Sequence, residues 1–252
     1  MLRAMNTRWL YGLLLVGVFL LGSVYQNDAA AYDYGAFEGD TVNYISVADT
    51  TETEGDPDGL FGGDALAPRI VGNKLFFFPN YYISQVSGDG LDNTYGLLSI
   101  EVEAKEGSYI TELNIRERGD YAFSGTGGAD TNASAFASLF FTGFNDAGDD
   151  FVGDDDTRVD FYMGQDPDSG RWQLDVSVFF DPADQITSAV IQFDNNLGTE
   201  SESSSSSYIQ KKVIGGPAIV VAVNETPVPV PGAVWLLISG LAACVWGKRK
   251  KK

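Results

Sequence analysis

The sequence contains no histidine, and its only cysteine is Cys244. Histidine is the commonest general base and the commonest metal ligand in proteins, so its absence removes both. A Ser-His-Asp arrangement is excluded, and no Gly-x-Ser-x-Gly nucleophile elbow is present. With one cysteine the chain forms no internal disulfide. Cys244 lies in an apolar run, and we interpret it as one more apolar residue of that run rather than as a lipidation site. We therefore predict a protein that is not an enzyme.

Basic residues are scarce outside the two ends of the chain. The 252 residues include 35 acidic and 16 basic ones, for a formal net charge of −19. Seven of the basic residues lie in the terminal segments, so the middle of the chain carries 34 acids and 9 bases. Such a surface repels nucleic acid and anionic lipid, while it favours solubility and attracts cations. We therefore expect no nucleic-acid partner, and a neutral or calcium-bridged polysaccharide suits this average charge better than an acidic one.

Residues 1–31 have the three parts of a secretory signal peptide. Two arginines precede a mostly apolar run over residues 9–24, and small residues follow. Ala29 and Ala31 occupy positions −3 and −1 of a cleavage site, so we predict cleavage after Ala31. The alternative is an uncleaved N-terminal anchor. In either case the Sec translocon exports the middle of the chain.

The C-terminal end has three consecutive parts of different chemistry. Pro229 and Pro231 favour an extended backbone, because proline fixes its own φ and restricts the preceding residue. Residues 232–247 hold no charge and predict a transmembrane helix of roughly 24 Å. This helix is shorter than the ~20 residues that usually cross a bilayer. The five cations of residues 248–252 are expected to stay in the cytoplasm.

This order of a Pro-x-Pro motif, a short hydrophobic span and a basic tail resembles the PEP-CTERM sorting signal of Gram-negative bacteria. Residues 228–235 are similar to the subgroup that reads Val-Pro-x-Pro-x-x-Val-Trp, with valine where the type motif has glutamate. The resemblance implies recognition and cleavage by an exosortase, a membrane transpeptidase. The residues that carry it are Pro229, Val230, Pro231, Gly232, Lys248, Arg249 and Lys250.

The resemblance also implies where the protein works. It predicts transient anchoring in the inner membrane, followed by transfer to the cell surface or the extracellular matrix. Many proteins with this signal accompany exopolysaccharide and biofilm production. The main hypothesis is therefore an exported, non-enzymatic envelope or matrix protein. The alternative for the C-terminal end is a plain tail anchor that is never cut.

The middle of the chain has the alternating pattern of β-strands. Apolar and polar residues alternate over 98–104 and again over 172–180, as expected for strands with one buried and one solvent-exposed face. Ile110 is out of phase with the apolar residues that follow it, which predicts a β-bulge. Residues 145–156 and 195–207 are predicted to be an acidic loop and a flexible serine-rich loop.

No helical periodicity extends beyond a few residues in this region. Ten to twelve short strands predict an all-β fold, an antiparallel β-sandwich or jelly-roll-like ectodomain. We place this domain at residues 32–223, with a spacer and the Pro-x-Pro motif at 224–231. Residues 32–61 are predicted to be mostly irregular, with a single strand at 42–47.

The densest acidic cluster is the best candidate for a cation site. Calcium takes 6–8 oxygen ligands as a rule, and carboxylates supply them. The EF-hand spacing is absent, and the alternative is a solvated acidic loop. No other cofactor is predicted. The candidate ligands are Asp149, Asp150, Asp154, Asp155 and Asp156.

Two further functions compete with a purely structural role. The first is carbohydrate binding, with or without calcium, since sugars stack on exposed aromatic rings. Trp172 is in phase with apolar neighbours and is expected in the core, whereas Tyr81 and Tyr82 place one ring on each face of a strand. The second is an extracellular hydrolase. A glycosidase needs two carboxylates, but with 34 acids such a pair is not diagnostic, and a Ser-Lys dyad stays open.

Overall fold

The computed structural model describes residues 30–51, 59–62, 67–79, 81–212, 217 and 219–227. The regular structure of these residues is thirteen β-strands and one 3₁₀ turn, Pro182–Asp184. The strands are β1 (Ala30–Glu38), β2 (Val42–Thr51), β3 (Arg69–Val71), β4 (Lys74–Phe77), β5 (Ile83–Ser87), β6 (Gly90–Ala104), β7 (Ser108–Gly125), β8 (Asn132–Asn145), β9 (Asp150–Tyr162), β10 (Ser169–Phe179), β11 (Ile186–Ser201), β12 (Ser205–Lys211) and β13 (Ile219–Pro227).

Most of the predicted signal peptide and the whole sorting signal lie outside the described residues. Ala29 is not described, while Ala31 is the second residue of β1 and pairs with Thr50. A cut after Ala31 would remove the first two residues of that strand. No helix within the described ranges has the length and apolar character needed to cross a bilayer.

The first sheet has the strand order β1-β2-β6-β11-β8-β9, and every neighbouring pair is antiparallel. β11 lies at its centre and is paired along its whole length with β6 on one side and β8 on the other. β9 pairs only with β8 in the described chain and forms an edge of this sheet.

The second sheet is built around β7. β10 pairs with one edge of this strand. On the other edge, β13 pairs with residues 108–117 and β12 pairs with residues 119–125, so these two strands lie end to end. β4 and β3 continue the sheet beyond β13, and β5 continues it beyond β12. A single residue pair, Ile186 with Ile110, links β11 to β7.

The two sheets bury one shared apolar core between them. Alternating residues of each strand point inward, as in Leu98, Ile100 and Val102 of β6, which are at most 1% exposed. Aromatic rings fill one end of the core, where the Phe61 ring lies 5.4 Å from that of Tyr82. The chain is therefore an all-β, antiparallel β-sandwich, as the alternation predicted.

The predicted bulge is present in β7. Asn224 pairs with Glu112, but the next residue of β13 pairs with Ile110, so Thr111 is the extra residue. The bulge lets Ile110 point into the core although it is out of phase with Leu113.

Both predicted loops are partly wrong, because each contains a strand. Residues 150–156 belong to β9, an edge strand whose solvent-exposed face carries Asp150, Asp154 and Asp156, where charge discourages pairing with other chains. Residues 195–201 belong to β11, and the serine run continues into β12. Backbone hydrogen bonds to β6 and β8 keep β11 in the extended strand conformation even where its side chains are polar.

The predicted ends of the domain also need correction. β1 and an extended β2 occupy a stretch that we predicted to be mostly irregular. β13 continues to Pro227, so the first residues of the predicted 224–231 spacer are part of the sheet.

A core truncation in β11 tests the shared core. Ile191 is fully buried and pairs with Ile100 on one side and Phe141 on the other. We expect Ile191→Ala to lower the free energy of unfolding by about 2–5 kcal/mol, because it leaves a cavity. Val152 is 71% exposed, so Val152→Ala should change it by less than about 0.5 kcal/mol. Urea unfolding of the two variants makes the comparison, and equal effects would contradict this core.

Candidate functional site

The outer face of the second sheet carries a groove whose floor is β7. Residues of this strand alternate between the two faces, so Leu113 and Ile115 enter the core. The residues between and beyond them point outward, away from the first sheet. The outward set that lines the groove is Glu112, Asn114, Arg116 and Arg118.

β4 and β13 complete the groove, which has a volume of about 490 Å³. Lys74 and Phe76 come from β4, where Leu75 between them is buried. The remaining lining residues are Pro217, Val220, Ala222 and Asn224. The groove is therefore open and lined by polar and apolar groups in similar measure, with one half-buried aromatic ring in its wall.

Neighbouring side chains and one backbone carbonyl hold the groove's charged groups in place. Arg116 Nε donates to Asp175 Oδ1 at 2.6 Å, and Asn224 Nδ2 donates to Glu112 Oε2 at 2.6 Å. Arg118 Nε donates to the Pro217 carbonyl at 2.9 Å. Both guanidinium planes are anchored through Nε, which leaves their Nη groups as donors for a ligand.

A second cavity of about 300 Å³ adjoins the groove and shares Arg118 with it. Arg171 and Gln173 of β10 line it, together with Gly119 and Trp172. Trp172 is only 5% exposed, so it belongs to the core as predicted and offers little surface for stacking.

The two cavities gather cations on a predominantly acidic protein. Lys74, Arg116, Arg118 and Arg171 are four of the nine basic residues of the middle of the chain. We call these four the basic stripe. Arginine presents planar, paired N–H donors that match the two oxygens of a carboxylate or sulfate. The basic stripe can therefore bind an anionic group that the rest of the surface repels.

Tyr208 lies on the same outer face, on β12. Burial, and then the nearby carboxylate of Asp120, raise the pKa of its phenol above the ordinary value. The phenol therefore stays protonated at neutral pH and keeps its hydrogen-bond donor.

The structure does not bring the five predicted calcium ligands together. Asp154 and Asp156 point outward from β9, whereas Asp155 points inward and accepts from the Ser177 backbone N–H at 2.8 Å. Asp149 lies in the preceding turn, where its carboxylate accepts from Asn145. Strand alternation separates the run, and no cluster of three or more potential metal ligands occurs among the described residues.

The tyrosine pair is placed as the sequence predicts. Tyr81 is 65% exposed, while Tyr82 is fully buried. The basic stripe, in contrast, was missed by reasoning from the sequence. The alternating pattern Glu-x-Asn-x-Arg-x-Arg at 112–118 is the signal that marks a charged wet face on β7.

Comparison with known proteins identifies no family for this chain. No protein-family model matches it, and no curated protein matches it. Similar solved structures include the carbohydrate-binding module TmCBM61 in complex with β-1,4-galactotriose, which is 9% identical with a TM-score of 0.22. That match covers 57% of this chain and 72% of the module.

Two further solved structures show a comparable degree of similarity. A CBM22-1 xylan-binding domain from Paenibacillus barcinonensis is 8% identical, with a TM-score of 0.20 over 58% of this chain and 88% of that domain. The active domain of bacteriophage CBA120 tailspike protein 4 is 11% identical, with a TM-score of 0.21 over 79% of this chain and 20% of the tailspike. At such TM-scores the functional proposal rests on the groove's own residues.

Gly119 tests the close packing beside the second cavity. A Cβ at this position would lie 2.6 Å from two carbons of the Trp172 indole and would overlap the Gln210 carbonyl. We expect Gly119→Ala to lower the free energy of unfolding by about 1–3 kcal/mol through overpacking. Gly128→Ala is the control, because its Cβ would meet nothing closer than 3.7 Å. A thermal melt of each variant gives the result, and an unchanged Gly119→Ala melt would refute this packing.

Proposed function

We propose that this protein is an exported, non-enzymatic matrix protein that binds acidic polysaccharide along the basic stripe. The observation that carries the proposal is the concentration of four of nine cations on one outer face. An acidic polymer is repelled by the rest of the molecule, so its favourable contact is confined to this face. The average charge of the chain favoured neutral polysaccharide, but a ligand responds to the local field.

The groove is suited to hold a ligand without transforming it. Glu112, which lines the groove, and Asp175 beside it are each engaged by a neighbouring side chain. The anchored guanidinium groups lose little conformational freedom on binding, which favours recognition. The Phe76 ring supplies an apolar surface for a sugar face.

Affinity electrophoresis with polygalacturonate and with neutral xylan tests the ligand class. We expect polygalacturonate, but not xylan, to retard the chain, with weaker retardation as salt rises. The double variant Arg116→Ala/Arg118→Ala should lose about tenfold or more in affinity, since it removes two charge-assisted contacts.

Arg158→Ala is the matched control for this experiment. Arg158 is also an arginine paired with a carboxylate, that of Asp160, but it lies on β9 of the first sheet. We expect it to bind as the unmodified chain does. Equal loss in both variants would indicate diffuse charge attraction, and no retardation by polygalacturonate would refute the proposal.

Export and sorting are the second part of the proposal, supported by the signal-peptide pattern and the PEP-CTERM-like end. We expect the protein recovered from culture medium to lack residues beyond about 230. Pro229→Ala/Pro231→Ala should leave the chain uncut in the membrane fraction, because an alanine pair no longer enforces an extended backbone. Intact mass spectrometry of both fractions decides this, and a full-length cytosolic chain would contradict export.

A further inference from the structure

Three polar side chains meet in the core between the two sheets. Lys211 ends β12 and Glu117 lies on β7, both in the second sheet, while Asn195 lies on β11 in the first sheet. Each of them is at most 2% exposed. The groove does not use these residues: Glu117 points inward from β7, and Asn195 and Lys211 lie on strands that do not line the groove.

One carboxylate oxygen connects the three residues. Lys211 Nζ donates to Glu117 Oε2, and Asn195 Nδ2 donates to the same oxygen at 2.6 Å. Two nitrogens that share one acceptor are within about 5–6 Å of each other. The Tyr82 hydroxyl donates to the Asn195 carbonyl at 2.8 Å, which fixes this part of β11 against the second sheet.

The cluster is incompletely satisfied for a simple buried ion pair. Within the described part of the chain, Glu117 Oε1 and Asn195 Oδ1 are buried without a hydrogen-bond partner. Buried charges are usually retained only where neighbouring groups satisfy them fully. Glu117 and Asn195 therefore each have one oxygen atom that accepts no hydrogen bond. These oxygens belong to a carboxyl group and an amide group, both of which can react.

The surroundings favour the neutral, nucleophilic form of the lysine. Lys211 Nζ lies 4.6 Å from the centre of the Tyr82 ring and 5.7 Å from that of Trp172. Burial lowers the pKa of Lys211, against the opposing effect of Glu117. A lysine amine that is desolvated in this way attacks carbonyl carbon readily.

We propose that Lys211 and Asn195 become joined by an intramolecular isopeptide bond, with Glu117 as the catalytic acid–base. Lys211 Nζ attacks Cγ of Asn195, the Nζ–Cγ bond forms, and the Cγ–Nδ2 bond breaks. Glu117 takes the proton from Nζ and returns one to Nδ2, which leaves as ammonia. The reaction exchanges one amide for another, so it needs no oxidant, cofactor or external energy source.

The bond would cross-link the two sheets of the sandwich. It connects the end of β12 to the middle of β11, so the layers could no longer separate fully. A chain without disulfides gains in this way a covalent link that reducing conditions do not break. The inference does not depend on ligand binding at the basic stripe.

Peptide mass spectrometry of the full-length chain tests the bond. Trypsin together with cleavage after glutamate separates residues 172–200 from residues 203–212, because Arg171, Glu200, Glu202 and Lys212 supply the cuts. We expect these two peptides to appear as one species, about 17 Da lighter than their sum through the loss of ammonia. Trypsin should not cut after Lys211.

Two variants complete the experiment. Glu117→Gln keeps the shape of the side chain and removes the acid–base, so the two peptides should appear separately. Lys212→Arg is the control, because Lys212 is exposed and pairs with Asp120 outside the core, and its link should persist.

Separate peptides in the unmodified chain would overturn the proposal. A linked species formed instead between Lys211 and Glu117, which would lose water and be about 18 Da lighter, would also overturn it. Persistence of the link in Glu117→Gln would overturn the role of Glu117. The decisive result comes from the unmodified protein, so it does not depend on whether a variant folds.

Discussion

The alternation of side chains along β7 beyond its bulge, from Glu112 onward, is the constraint on which the rest of the structure depends. The strand runs for eighteen residues through the second sheet and is paired along both edges. Arg116 and Arg118 point outward into the groove, while Glu117 between them points inward to the buried lysine. One tripeptide thus supplies two of the four residues of the basic stripe and the acid of the buried cluster, because successive residues of a strand face opposite sides.

The buried cluster must overcome a large desolvation cost. Moving an ammonium and a carboxylate out of water costs several kcal/mol for each ion, and their mutual attraction offsets this only when the geometry is good. Here the aromatic rings of Tyr82 and Trp172 flank Nζ of Lys211, and the side chain is buried away from water. The same exclusion makes the pair reactive, since a proton moves between two nearby groups that water does not solvate. An exchange of amides would permanently replace the buried, titratable amine of Lys211 by a neutral amide.

The edge strands explain why sequence patterns misled us in places. The run of aspartates before Thr157 indicated a loop, because dense charge is typical of solvated turns. β9 is an edge strand, so most of these aspartates lie on its solvent-exposed face, where their charge discourages pairing of its free edge with another chain. At β11 the error was of the opposite kind. Asn195 and its polar neighbours indicated a flexible segment, yet the strand pairs on both sides and buries Asn195 completely.

The sequence by itself determined the all-β class, the bulge near Ile110, the inward position of Trp172 and the absence of disulfides. These properties follow from local periodicity and composition, which need no knowledge of distant partners. Only the tertiary structure decided that four cations converge on one face, and that Lys211 reaches a glutamate 94 residues away. Pairing register and sheet stacking result from the summed packing of all strands, so no single segment encodes which side chains they bring together.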